Sequence, residues 1–194
     1  AIPSPSIELP ALLKNYWVVI VGSSDPSTPE RYVETVVVRN KKTSAQARIY
    51  LQPRCQNHQS DRVEIFGSVS IIGVPYVTVE GISIRFETST INTYALLLKR
   101  DAAYNKPDYA IFRNMLVETK YVPAPPPEPD LTGSIQFTAI YAFIDDDNSL
   151  DAREAKWGAI SDSERLKHGS HLLFDRVVTR AAGTERTDGI KVQN

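Results

Sequence analysis

The sequence predicts an α+β fold: a single domain in which an antiparallel β-sheet packs with a few helices, two of them C-terminal, behind a Pro-rich N-terminal arm. Between Val63 and Glu87, apolar and polar residues alternate in short segments separated by glycines and a proline. This period is typical of antiparallel strands with one buried face. Residues 145–178 contain two helix-start patterns followed by apolar residues at helical spacing. Residues 1–10 contain three prolines, which favour an extended arm.

The size and charge of the chain limit the classes of protein to consider. It has 194 residues, of which 42% are hydrophobic, enough for one core. We expect an arm over residues 1–14, a globular domain over 15–180 and a flexible tail over 181–194. The net charge of −1 gives no global electrostatic reason to bind nucleic acid or an anionic membrane, so such binding needs a local patch. The single cysteine, Cys55, excludes an intramolecular disulfide.

The Pro-rich arm is a candidate for self-association. It is either a disordered tail or an extended segment that docks on a neighbouring subunit. Docking would give its apolar side chains a place to be buried. The residues predicted to take part are Ile2, Pro3, Pro5, Ile7 and Leu9.

Local patterns after the arm predict a strand and then a helix. The segment from Tyr16 to Val21 is β-branched and aromatic on both faces, which indicates a buried strand. Thr28 and Pro29 resemble an N-cap and first helical residue, so a short helix is expected there. Residues 36–38 fit either state, 93–100 are a strand or a helical turn, and 109–122 are at least partly extended.

The densest basic cluster of the chain consists of Arg39, Lys41, Lys42 and Arg48. One interpretation is a solvated turn and helix face. The other is a patch that binds phosphate groups of nucleic acid or lipid.

A second Pro-rich segment, residues 122–130, contains five prolines and predicts a polyproline II connector. It is either a rigid linker between strands or a ligand for a Pro-recognising domain, since it has a PxxP spacing. Pro125, Pro126 and Pro127 are predicted to contribute to self-association.

The longest run of local signals extends from Gly133 to Val178. It predicts a long strand over 133–144, an acidic corner with a capped helix ending at Trp157, and a second helix. Calcium binding is excluded for the corner, because Leu150 stands where an EF-hand loop needs Gly and Lys156 where it needs Glu.

The second helix is predicted from a capping box, Ser161 to Glu164, and an apolar face that includes Leu173, Phe174 and Val177. His168 and His171 are three residues apart, so they could bind one metal ion from the same face of this helix. No third ligand is evident nearby, so no metal site is predicted. No catalytic triad, glycine-rich phosphate loop or zinc-ligand pattern occurs in the sequence, so neither an enzyme nor a cofactor is expected.

The order of these features resembles the C-terminal half of rhabdovirus matrix proteins. The features are the Pro-rich connector, the strand that opens with Gly133, the acidic corner at 145–150, the helix ending in Trp157 and the helix through Leu173. They cover roughly a third of the chain. The chain departs from the family in having no basic residue before Lys14 and no Pro-Pro-x-Tyr signal.

The resemblance implies a non-enzymatic viral structural protein that self-associates, condenses the nucleocapsid and links it to the membrane during assembly and budding. Its partners would be other copies of itself, the nucleocapsid, a membrane surface and RNA. Its place would be the virion, the host cytoplasm and the inner face of membranes. Two alternatives remain open on the sequence, an icosahedral coat subunit and a cellular β-rich module that binds a ligand.

Overall fold

Every regular element in the described part of the chain is a β-strand. The computed structural model describes residues 14–23, 25, 27–39, 41–56, 59–89, 93–100, 107–122, 136–143, 171–182 and 186–193. The strands are β1 Tyr16–Ile20, β2 Glu30–Tyr32, β3 Val36–Arg39, β4 Ile49–Pro53, β5 Cys55–Gln56, β6 Gln59–Ser60, β7 Val63–Phe66, β8 Val69–Ile72, β9 Val77–Glu80, β10 Ile82–Thr88, β11 Thr93–Lys99, β12 Ala110–Tyr121, β13 Gln136–Phe143, β14 Leu172–Ala182 and β15 Arg186–Gln193.

The strands pair in parallel, apart from the small antiparallel hairpin of β5 and β6. Strands of the middle passages pair with one strand from an earlier passage of the chain and one from a later passage, so the pairing aligns equivalent positions through the described stack. Val18, Leu51, Val79, Phe112 and Phe174 are aligned in this way. Such a set of aligned residues is called a column below.

The register divides the chain into five coils. The first contains β1, β2 and β3, the second β4, β7 and β8, and the third β9, β10 and β11. The fourth consists of β12 and β13, because β12 is long enough to pair with β9 at its start and with β10 after it. The fifth consists of β14 and β15. The fold is therefore a stack of parallel coils, a β-solenoid.

The coils form two main sheets. The sheet of eight strands has the order β1-β4-β9-β12-β10-β7-β2, with β14 paired to β12, and the sheet of five strands has the order β15-β13-β11-β8-β3. Since adjacent parallel strands lie about 4.8 Å apart, each coil buries its apolar face largely against the coils above and below it.

The core is a set of apolar columns between the sheets. In the smaller sheet Val36, Val69, Leu96, Ile140 and Ile190 form one column, whose three central members are fully buried. In the larger sheet the rings of Phe112 and Phe174 stack with centroids 5.2 Å apart. Burial falls off at the first and last coils, where a column has a neighbour on one side only.

A ladder of ion pairs crosses the outer face of the larger sheet. Glu64 is 6% exposed, with Arg31 Nε 2.7 Å from one carboxylate oxygen and Arg85 Nη1 3.7 Å from the other. Arg85 Nε also lies 3.0 Å from Glu118. Two guanidinium groups thus compensate the desolvation of Glu64, and the ladder links the first four coils.

The residue at the bend between β9 and β10 has a left-handed backbone conformation, and so do the equivalent residues of the fourth and fifth coils. Gly81, Asn114 and Arg176 lie in one column with φ of 71°, 50° and 53°. Left-handed backbone is free of steric cost for glycine, tolerated by asparagine and unfavourable for arginine. Arg176 is therefore the strained member of this column.

The predicted α+β class with an antiparallel sheet is wrong. Period-two alternation indicates one buried face, and it does so whether the neighbouring strand comes from the next hairpin or from the next coil. Here Ile82 pairs with Val63 and Ser83 with Leu116, both in parallel, so the short turns lead onward around a coil.

Two predicted helices are strands in the described residues. The helix expected after Pro29 is replaced by β2. The helix face of Leu173, Phe174 and Val177 belongs to β14, in which tertiary pairing with β12 determines the conformation. No helix of a length and apolarity suited to crossing a bilayer occurs within the described ranges.

Several other predictions agree with the structure. The segment at Tyr16 is a strand, although an exposed one, and residues 93–99, 110–121 and 136–143 are extended.

The segment predicted as a flexible tail, residues 181–194, contains the end of β14 and the whole of β15. The acidic corner and residues 1–10 and 123–130 of the Pro-rich segments lie outside the described residues.

Exchanging residues within the left-handed column tests the fold. Arg176→Gly should raise the free energy of unfolding by about 1 kcal/mol, because a strained backbone conformation becomes an unstrained one. Gly81→Ala should lower it by about the same amount, because alanine takes on the strain. Urea unfolding followed by circular dichroism measures both, and a stability change of the same sign in the two variants would contradict the assignment.

Candidate association surface

The first coil presents open strand edges. Each of its strands, β1, β2 and β3, pairs with the second coil on one side, and no described strand pairs with its other side. Its apolar side chains are exposed accordingly, with Tyr16 at 57%, Trp17 at 51% and Val37 at 49%. An open edge next to exposed apolar side chains is a template for pairing with another chain.

The last coil presents the opposite edge. Strand β14 pairs only with β12, and β15 only with β13, among the described strands. Leu173, Val178 and Ile190 are each about half exposed there. Apart from Tyr109 and Val122, every exposed large hydrophobic residue in the described part lies in the first or the last coil. Exposed apolar surface is thus concentrated at the two ends of the stack, which marks them as the candidate interaction sites.

Trp17 is held on the outer face of β1 by its neighbour in the second coil. Its indole stacks on the ring of Tyr50, with centroids 5.1 Å apart and planes 11° apart. The pair occupies one column with Thr78, Ile111 and Leu173. This column therefore begins with an exposed tryptophan and ends with an exposed leucine.

A similar outer column runs along the smaller sheet through Val37, Ser70, Leu97, Tyr141 and Lys191. Lys191 Nζ lies 5.5 Å from the centre of the Tyr141 ring. This column ends in a cation at the last coil and in an exposed valine at the first.

The Tyr141 ring also stacks on that of Tyr94, with centroids 4.4 Å apart. Burial raises the pKa of Tyr94 above its usual value. The outer face of the smaller sheet is thus partly covered by its own aromatic rings.

A ladder of stacked rings lies where the third, fourth and fifth coils enter the larger sheet, just before β9, β12 and β14. The ring centroids of Tyr76 and Tyr109 are 4.9 Å apart, and those of Tyr109 and His171 are 4.5 Å apart with nearly parallel ring planes. Asp108 fixes the end of the ladder by accepting hydrogen bonds from the backbone N–H groups of Tyr109 and His171, and its Oδ1 lies 3.1 Å from His171 Nδ1. The ladder holds the third, fourth and fifth coils in register at this corner.

Arg48 completes the ring ladder in the second coil. Its guanidinium lies 5.6 Å from the centre of the Tyr76 ring, and its Nη2 donates to the carbonyl oxygen of Tyr109 at 2.7 Å. Its Nε lies 3.4 Å from the hydroxyl of Thr78, which is 4% exposed. These contacts assign Arg48 a structural role.

The remaining members of the predicted basic cluster lie in the turn after β3. Arg39 ends β3 and is exposed, Lys42 is exposed and Lys41 is half-buried. Thr43 next to them donates a hydrogen bond to the carbonyl of Pro75. Arg39, Lys41 and Lys42 therefore form one surface region of the first coil, and Arg48 is separate in function.

The other predicted sites are placed only in part. Ile2, Pro3, Pro5, Ile7, Leu9, Pro125, Pro126 and Pro127 lie outside the described residues. Cys55 is exposed. His171 is paired with Asp108, and the described ranges hold no group of three or more potential metal ligands.

The chain matches no protein-family model, no curated protein and no solved structure.

Sequence reasoning missed the exposed ends of the stack. An apolar, β-branched strand such as β1 has the pattern of a buried strand, and its exposure follows from its place at the end of the stack. Leu173 and Val178 both lie in the stretch predicted as the second helix. The apolar run Leu172, Leu173 and Phe174 does not distinguish the exposed position from the two half-buried ones, so the sequence carries no local signal for this surface.

Arg48 should stabilise the fold rather than bind an external ligand. We expect Arg48→Ala to lower the free energy of unfolding by about 1–2 kcal/mol, through loss of the cation–π contact with Tyr76 and of the hydrogen bond to the Tyr109 carbonyl. Arg48→Lys should recover only part of this, because an ammonium cannot make the three contacts together. Thermal or urea unfolding measures the effect, and a wild-type stability for Arg48→Ala would contradict the role.

Proposed function

We propose that the protein is a non-enzymatic structural component that self-associates through the ends of its coil stack. The observation that supports the proposal is the first coil, which combines three open strand edges with exposed aromatic and β-branched side chains. Burial of such side chains stabilises an interface by about 25 cal/mol per Å² of apolar area. Backbone pairing along the edges adds direction and register.

The resemblance to rhabdovirus matrix proteins gives this proposal a specific form. A matrix protein works through surfaces, by associating with itself and with the nucleocapsid and membrane. The strand at Leu173 in place of a helix removes one of the features on which that comparison rested. Self-association is the part of the matrix role that the coil ends support.

Binding of nucleocapsid RNA or lipid phosphate is a second proposal, and it rests on Arg39, Lys41 and Lys42 in the turn after β3. The three cations lie close along the chain, and Arg39 and Lys42 are exposed. Their charge is not offset by an ion pair in the described part of the chain, so this turn can attract phosphate groups.

The association proposal is tested with Trp17→Lys combined with Val37→Lys. Both side chains point to the outer face of open edge strands, so the charges should oppose pairing without entering the core. We expect the dissociation constant of the oligomer to rise about tenfold or more, which corresponds to at least about 1.4 kcal/mol. Analytical ultracentrifugation over a concentration series measures it.

Val122→Lys is the matched control, because Val122 is 39% exposed and lies just after β12, away from the ends of the stack. It should associate as the wild-type protein does. A wild-type protein that stays monomeric at millimolar concentration would refute the proposal, as would equal association of the double variant and the control.

The phosphate proposal is tested by replacing Arg39, Lys41 and Lys42 with Ala while retaining Arg48. Binding to single-stranded RNA and to vesicles containing phosphatidylserine should weaken, with a smaller dependence on salt, because fewer counterions are released. Fluorescence anisotropy and vesicle co-sedimentation at two salt concentrations measure the two ligands separately.

Retaining Arg48 keeps the ring ladder and hence the fold, so a loss of binding can be assigned to the surface cations. Binding of both ligands at wild-type strength would refute the proposal that Arg39, Lys41 and Lys42 bind phosphate groups.

A further inference from the structure

We propose that copies of the chain associate head to tail, an inference that rests on the proposed self-association and specifies its geometry. In this arrangement β14 of one copy pairs with β1 and β2 of the next, and β15 pairs with β3. The strands run parallel, in the register that already relates successive coils. The open strand edges of the first coil would thus pair with the last coil of a second copy.

The inner columns support this pairing. Continued by one step, the column that ends in Phe174 reaches Val18 of the next copy, and the column that ends in Ile190 reaches Val36. Both steps place an aliphatic side chain on an aromatic or aliphatic one, so the two columns remain apolar across the contact. The apolar core would continue from one copy into the next.

The outer columns are compatible with the same register. Leu173 would meet Trp17 of the next copy, so that two side chains that are each about half exposed cover one another. Lys191 would meet Val37, and Val178 would meet Arg31. None of these three steps places like charges side by side.

A head-to-head arrangement does not reproduce these matches. Two first coils that face one another would run their strands in opposite directions, so the pairing would be antiparallel and would not continue the columns. Head-to-tail pairing also leaves a free first coil and a free last coil on every assembly. Such contacts are heterologous and produce open chains of copies rather than a closed dimer.

One inner position limits the strength of the contact. Glu30 occupies the column of Val63, Ile82, Met115 and Val177, so head-to-tail pairing places its carboxylate on an apolar residue. An inward-pointing charge on an edge strand is a known means of restraining edge pairing. Glu30→Val should therefore lengthen head-to-tail assemblies. In a head-to-head dimer no described contact predicts such an effect of this substitution.

The decisive experiment uses two charge variants that block opposite ends. Val37→Lys places a cation beside Lys191 of the preceding copy, and Val178→Lys places one beside Arg31 of the following copy. Each variant alone should associate about tenfold more weakly than the wild-type protein, because like charges oppose the contact. An equimolar mixture should recover association but stop at a 1:1 dimer, since each variant retains one intact end.

Charge reversal at the same positions supplies the matched controls. Val37→Glu and Val178→Glu face Lys191 and Arg31 with the opposite sign, so both should associate at least as strongly as the wild-type protein. The midpoint of urea unfolding, compared for all four variants, identifies any loss that comes from misfolding. Sedimentation velocity with one partner labelled by a fluorophore resolves the mixed dimer.

The outcomes separate the two proposals. A Val37→Lys variant that loses association while Val178→Lys retains it would overturn head-to-tail pairing and leave self-association through the first coil intact. Two folded lysine variants that both associate as the wild-type protein does would overturn the use of the coil ends altogether. A mixture that stays monomeric while the glutamate variants associate normally would also overturn the head-to-tail register.

Discussion

The parallel register between coils is the constraint on which the rest of the structure depends. Because each strand pairs with the same position of the next coil, a side chain keeps its place in a column throughout the stack. In inward columns, such as that of Val79 and Phe112, buried apolar side chains pack on one another from coil to coil. Outward columns bring rings and charges of adjacent coils within a few ångströms, as they do for Arg31 with Glu64 and for Arg85 with Glu118.

The same constraint explains why the ends of the stack differ from its middle. A middle coil is covered on both sides, so Leu96 and Ile140 are fully buried. Among the described strands the first coil has the same kind of side chains but a neighbour on one side only, and Tyr16 and Trp17 remain more than half exposed. Exposure at the ends is thus a geometric consequence of the repeat, and the proposed association would draw on it without any specialised binding motif.

Sequence reasoning located many of the strands because a strand is specified locally by alternation, β-branching and turn residues. It identified the segments at Tyr16, Val63 and Gly133 for this reason. It could not identify their partners, since alternation reports one buried face and is silent about which strand lies beside it. Apolar spacing around Leu173 and Val177 fits a helix as well as a strand, and the pairing of β14 with β12 decides the matter.

The candidate site was less predictable than the fold for a related reason. Burial of a residue in a solenoid depends on whether another coil follows, and Val18 and Val79 have the same local character with opposite exposure. Arg48 appeared to belong with Arg39 by sequence distance. Its alignment with Tyr76 and Tyr109 depends on the coil register, which determines that it supports the corner rather than the surface charge.

The opposing effects at the first coil determine what kind of assembly the ends can form. In the proposed association, Trp17 and Val18 favour continuation of the stack, because their columns end in Leu173 and Phe174 at the last coil. Glu30 opposes it, because a carboxylate within an apolar column loses hydration without gaining a partner. Its distance from Arg31 along the chain is short, but Arg31 is already paired with Glu64 at 2.7 Å. In the proposed association, an end that combines apolar columns with a carboxylate that has no ion-pair partner among the described residues favours reversible contact over permanent fusion of copies.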